Sequence, residues 1–115
     1  MLFRSEAIAG KEDMPAKDVF DNLELMGEFP AGRITAIMEF GFSNSLGVTC
    51  THCHNPDDWS SDEKIEKKIT REMWRMTGTI NSEMLPAIAD FSDRQATVNC
   101  TTCHRGDVKP ATRME

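Results

Sequence analysis

Two five-residue stretches constrain this chain more than anything else in it: Cys50-Thr51-His52-Cys53-His54 and Cys100-Thr101-Thr102-Cys103-His104. Each reads C-x-x-C-H, the attachment signature of a c-type haem. The spacing has a mechanical reason. Two thiols three residues apart lie on one face of a helical turn, where both reach the vinyl groups of one porphyrin as thioethers. The histidine directly after the second cysteine is then held beneath the iron as its proximal ligand. All four cysteines fall inside the two motifs, and two of the three histidines end them. The expected cofactors are therefore two covalently bound haem c groups. Cys50 and Cys53 tether one, with His54 on the iron; Cys100 and Cys103 tether the other, with His104.

Three rivals fit less of the pattern. A zinc-binding module could use both C-x-x-C pairs, but zinc ribbons separate their pairs by about 15–20 residues, and here 46 residues lie between Cys53 and Cys100. A thioredoxin-like dithiol would sit near a βαβ pattern, and the chain has no strand-like alternation of useful length. Two disulfides would leave the matched histidines unexplained.

A chain of 115 residues, 39% of them hydrophobic, builds only a small core of its own. Two porphyrins would supply the missing apolar surface. The expected fold class is all-α, a small multihaem cytochrome c in which helix, methionine, loop and C-x-x-C-H occur twice around two haems. Residues 1–14 read as a polar leader, 15–107 as the dihaem domain and 108–115 as an extended tail. The formal net charge of −6 argues against nucleic acid as a partner and suits redox proteins with a positive docking patch, or simply solubility. No stretch approaches the roughly 18 apolar residues of a transmembrane helix. Residues 1–11 lack the apolar core of a signal peptide, and there is no N-terminal cysteine for a lipid anchor. Because c-type haem is attached outside the bacterial cytoplasm, the expected location is periplasmic or otherwise extracytoplasmic, and the chain is expected to be a mature or excised form.

Along the chain, Val19, Phe20, Leu23 and Met26 make one apolar face and predict a helix over 15–26, capped by Asp13 and stopped at Gly27. Pro30 opens a second helix to about Ser45, with Ile34, Ile37, Met38 and Phe42 as its buried stripe and Gly47 after its end. A turn at Asn55-Pro56-Asp57-Asp58 precedes a capping-box match, Ser60 with Glu63. The longest helix is then expected from about Ser61 to Leu85, stopped by Pro86. Its inner stripe would be Ile65, Ile69, Met73, Met76 and Ile80; Lys64, Lys67, Lys68, Arg71 and Arg75 would form a solvated face, with pairing to haem propionates as the alternative. Residues 86–99 read as irregular, with Asp90, Ser92, Asp93 and Asn99 as turn formers. Trp59 and Trp74 are expected to pack at porphyrin edges.

Each iron has a second axial position. His52, between the first two cysteines, is the one remaining histidine and is expected to be exposed and to point away from its own iron; with a single spare histidine, bis-histidine ligation at both sites is excluded by count. Methionine is the alternative, and the chain holds eight. Met38, on the stripe before the first motif, and Met73, mid-stripe before the second, are best positioned. Met76 competes with Met73, and Met84 is the weaker candidate near the helix end.

These features together resemble the cytochrome subunit of purple-bacterial photosynthetic reaction centres. The resemblance covers about residues 18–107. It rests on Val19-Phe20-Asp21-Asn22-Leu23, the Met38 helix leading to Leu46-Gly47, Cys53-His54-Asn55-Pro56, Met73-Trp74-Arg75-Met76-Thr77, and Cys100 to Gly106. That family carries four haems in two similar halves, with a methionine on the preceding helix as sixth ligand for three of them. By position, the resemblance implies Met38 for the first haem and Met73 for the second. Only one dihaem half is present. Asn81 to Ala87 lacks the histidine that reaches across to the other half in the four-haem form, so stand-alone dihaem relatives fit equally well. The expected function is electron transfer between redox partners, a reaction centre or another extracytoplasmic acceptor, within a larger complex or outside one. It is not an enzyme on this reading. The rival enzyme or sensor, a dihaem peroxidase or gas-binding protein, would need one open iron.

Overall fold

The computed structural model describes residues 8–89 and 96–114. The turn formers Asp90, Ser92 and Asp93 and the first seven residues of the leader lie outside them. Helices supply the regular structure. Among the described residues, β pairing is limited to two isolated bridges, Pro15 with Pro30 and Asn55 with Asp58. The fold is thus a mostly helical small domain.

The helix expected after Pro30 forms. Segments of α-helix (Ala31–Ala36), π-helix (Ile37–Ser43) and α-helix (Asn44–Leu46) follow one another without a break, and we call the whole α1. Pro30 caps it in an extended conformation, where its missing N–H costs nothing. Gly47 ends it at φ +68°, a left-handed cap that only glycine adopts without strain.

The helix expected over 15–26 does not form. A single 3-10 turn, Ala16–Asp18, is all that appears. Asn22 (φ 59°) and Met26 (φ 62°) both turn left-handed, and a right-handed helix cannot propagate through such residues. The segment is instead a loop closed at its base: the Ala16 amide donates to Phe29 O and the Ala31 amide to Met14 O, each at 2.8 Å. The reason is tertiary. Phe20, Leu23, Leu25 and Met26 all line one cavity, and no single helical face would deliver all four.

The long helix, α2, runs as α-helix over Ile65–Thr79 and as π-helix over Ile80–Met84. It starts four residues later than expected, and the Ser60–Glu63 capping box is not made. Ser60 Oγ donates to Asp58 at 2.9 Å, the Glu63 amide donates to Ser61 Oγ at 3.1 Å, and Asn55 donates to the Glu63 carboxylate. The last helix, α3, is the second motif itself, Cys100–His104. Asn99 caps it reciprocally: its side chain accepts from the Thr102 amide at 3.2 Å, and its amide donates to Thr102 Oγ1 at 3.0 Å.

The end of α1 docks on α3. The Gly106 amide donates to Ser45 O at 2.7 Å, and the Ser45 and Thr101 hydroxyls share a bond of 2.7 Å. The buried apolar residues are few, Ile8, Ala16, Ala31 and Ile34, and among the described residues no large side chain is fully buried. The 19–26 loop, α1 and α2 also face a shared cleft.

Candidate functional site

That cleft is apolar and open at its mouth. Cys50, Cys53 and His54 line it, and so does Met38. Four residues singled out as a tether, a proximal ligand and a sixth ligand thus meet at one cavity, although α1 and the first motif are separate elements. Phe42, Trp59 and Trp74 complete its aromatic wall. Phe42 and Trp74 pack edge to face with centroids 6.0 Å apart, and Trp59 lies 5.1 Å from the His54 ring. Met38 is the second residue of the π-helical stretch, a widened turn of the kind that often carries functional side chains. His52 is half-buried in the Cys50–His52 3-10 turn and does not line the cleft.

Both motif histidines are held the same way. His54 Nδ1 lies 2.9 Å from Trp59 O, and His104 Nδ1 lies 3.0 Å from Asp107 O. A carbonyl accepts only, so Nδ1 carries the proton and the imidazole lone pair falls on Nε2. This is how a metal-binding histidine is oriented. None of the four cysteines is in a disulfide. Burial pushes the Cys53 and Cys100 thiols up from their ordinary value, so they stand as thiols. Among the described residues no group of three or more His, Cys, Asp and Glu side chains gathers, which leaves no four-cysteine zinc site. A porphyrin fits this set: two thiols, an imidazole oriented through its Nδ1, a thioether and apolar walls at one cleft.

The α2 helix has two working faces. Lys67, Thr70, Arg71 and Trp74 line the cleft, and Thr70 Oγ1 lies 3.8 Å from Cys53 Sγ. The stripe expected to be the inner one lies on the opposite side, at 100° per residue. Ile65, Ile69 and Met76 are 59%, 53% and 45% exposed, while Met73 and Ile80 are half-buried. Periodicity identified the apolar residues but not what covers them. Asn81, one turn beyond, exchanges two bonds with Val98, of 2.8 and 2.7 Å, and so ties the end of α2 to the approach of the second motif. Around that motif Cys100 and His104 are half-buried and Cys103 is exposed.

Lys67 and Arg71 were expected to be solvated; their side chains are only 13% and 11% exposed. Arg71 pairs with Glu24 at 2.9 Å and with Asp62 at 3.1 Å, and Asn22 donates to Asp62 at 2.8 Å. These bonds pin the 19–26 loop over the cleft and explain the late start of α2, since Asp62 is used here rather than in a first helical turn. The Asn22 bond, then the Arg71 guanidinium, holds the Asp62 carboxyl at about 2, below its usual 3.8. A carboxyl lowered on folding stabilises the fold above its unfolded pKa and loses that contribution as pH falls through its folded one. The loop is therefore expected to loosen between about pH 4 and pH 2. Asp62 is 46% exposed, so Asp62→Asn should cost no more than about 1 kcal/mol at pH 7. Its acid denaturation should lose part of the native transition in that window, as circular dichroism against pH would record.

A cleft that brings C-x-x-C-H to a methionine-bearing helix, with a second C-x-x-C-H closing the chain, defines the class: a cytochrome c. The sequence model of the photosynthetic reaction centre cytochrome C subunit family matches residues 2–113, and this chain belongs to that family, one of haem electron transport. Among relatives, the chain is 28% identical to the photosynthetic reaction center cytochrome c subunit of Thermochromatium tepidum, over 83% of this chain and 22% of that protein. It is 30% identical to cytochrome c-554 of Chloroflexus aurantiacus, over 72% of this chain and 20% of the relative. The subunit of Roseobacter denitrificans is 29% identical over 89% of this chain and 28% of its own length. The chain thus spans about a quarter of the length of these relatives. Among the described residues no helix is long and apolar enough to cross a membrane.

Proposed function

We propose that this chain is a dihaem cytochrome c that relays single electrons between redox proteins on the outer side of the cytoplasmic membrane. The supporting observation is the meeting of Cys50, Cys53, His54 and Met38 at one apolar cleft. Haem c, when bound, supplies a one-electron Fe(III)/Fe(II) couple. The chain's own residues do the rest. Cys50 and Cys53 tether the first group. His54 presents Nε2 because Trp59 O holds its other nitrogen. Met38 offers a thioether, which favours ferrous iron and raises the potential relative to a second histidine. Phe42, Trp59 and Trp74 keep water from the site.

The second haem follows the same plan at Cys100, Cys103 and His104, with the outer stripe of α2 as its bed. Position in the family pattern favours Met73 as its sixth ligand. Met76 stands one turn on, on the same face and more open. The donor and acceptor are redox proteins, a reaction centre or another extracytoplasmic carrier.

Intact mass and an optical spectrum of the holoprotein test the core of this reading. Two haems per chain and a methionine–iron absorption band are expected; a colourless chain of bare polypeptide mass overturns it. Met73→Ala should lower one haem potential and open that iron to carbon monoxide, leaving the other potential nearly unchanged. If Met73→Ala titrates like the native protein and Met76→Ala does not, the ligand is Met76.

A further inference from the structure

Two cation-bearing side chains reach the first site, and one does something the tether and ligand set does not require. Lys67 Nζ donates to Trp59 O at 3.2 Å. This is the same oxygen that holds His54 Nδ1 at 2.9 Å. The ammonium is fixed there by a second bond, to Ser61 O at 2.9 Å, and by Asp62 at 3.5 Å. Its side chain is only 13% exposed, so the charge acts in a poorly screened setting.

We propose that Lys67 is a positioning residue for the proximal histidine of the first haem: by sharing the Trp59 carbonyl with His54, it weakens that histidine as an electron donor to iron and raises the potential of its haem. The inference rests on the haem reading above. A carbonyl that receives one N–H draws strongly on that proton, which makes the imidazole more anionic and stabilises ferric iron. A carbonyl that also receives an ammonium spreads its lone-pair density over two donors, and the pull on His54 falls. Partners of this outer kind set the basicity of metal-bound histidines. The ammonium's own field has the same sign, since a nearby cation disfavours the more positive oxidation state. Glu24 and Asp62 pair with the two cations of the cluster, Arg71 and Lys67, and offset much of their field, so the bond to the carbonyl is what singles Lys67 out. At the second motif the corresponding carbonyl belongs to Asp107, on the turn after α3.

Potentiometric titration of the native holoprotein and of Lys67→Gln, Lys67→Met and Lys67→Arg tests this. The wave that Met38→Ala displaces identifies the first haem. Lys67→Gln and Lys67→Met should each lower the midpoint of that wave and leave the other in place; Lys67→Arg, which keeps charge and donors, should stay close to native. In reduced protein, the His54 Nδ1 proton resonance should move downfield in the two neutral variants, as the carbonyl becomes the stronger acceptor. Lys67→Met keeps the apolar stem should Lys67→Gln fold poorly. An unmoved midpoint, an equal shift of both haems, or an arginine variant that falls with the neutral ones overturns the assignment. A native chain without haem overturns the underlying reading as well; two haems with an unmoved midpoint overturn the role of Lys67 alone.

Discussion

With Cys50 and Cys53 both changed to serine, the purified protein is expected to be one haem lighter and to have lost the native arrangement of residues 19–74. The two parts of this result have different causes. The mass change follows from chemistry, since a hydroxyl does not add to a vinyl group as a thiol does. The loss of structure follows from packing. The 19–26 loop, α1 and the inner face of α2 converge on the cleft, and the chain's own buried apolar residues number four among those described. Burial of a side chain contributes roughly 1.5–3 kcal/mol, so this core alone does not offset the ordering entropy of the elements around it. Intact mass gives the first part. Loss of the tryptophan near-ultraviolet signal, from Trp59 and Trp74 on the cleft wall, gives the second. Retention of that signal by a chain one haem lighter would show that the polypeptide holds its own shape.

Gly47→Ala is expected to be the most damaging single exchange away from the cofactor ligands. A Cβ built there lies 2.1 Å from Gly106 O, and the residue sits at φ +68°. The left-handed backbone alone costs an alanine about 1–2 kcal/mol. The clash is with backbone, which cannot swing aside, so α1 must separate from α3 and give up the Ser45–Thr101 and Ser45–Gly106 bonds. A loss of at least about 3 kcal/mol would be a large part of the 5–15 kcal/mol that holds a typical domain together. Gly78 supplies the comparison. It lies in the α-helical part of α2 with nothing within 4 Å of a built Cβ, so Gly78→Ala should gain about 0.5–1 kcal/mol. Thermal unfolding of the two variants should move in opposite directions; if Gly47→Ala melts with the native protein, the α1–α3 junction is not as close as described.

The motifs were legible because covalent attachment needs its residues contiguous in sequence, and contiguity survives any fold. The limits of α1 were legible too, because Pro30 and Gly47 act through their own backbones. What could not be read were the features that depend on a distant partner. Nothing in residues 15–26 says that Asn22 and Met26 turn left-handed so that four apolar side chains can face one cleft. The Ser60–Glu63 pattern is a sound helix start in isolation; it fails because Asp62 is bound by Asn22 and Arg71, 40 and 9 residues away. The α2 stripe shows the same limit from the other side. Spacing finds the apolar face, but says nothing of what covers it. Lys67 and Arg71 read as a solvated run because no periodicity distinguishes a cation in water from one beneath a loop.

The contact between Gly47 and Gly106 also bears on the order in which the molecule can be made. A chain synthesised amino end first presents Cys50 and Cys53 well before residue 106 has emerged. Until then the carboxyl end of α1 lacks the bonds that Gly106 and Thr101 make to Ser45. The junction that fixes the end of α1 joins hydroxyls 56 residues apart in the sequence, so it forms only once the second motif has followed the first.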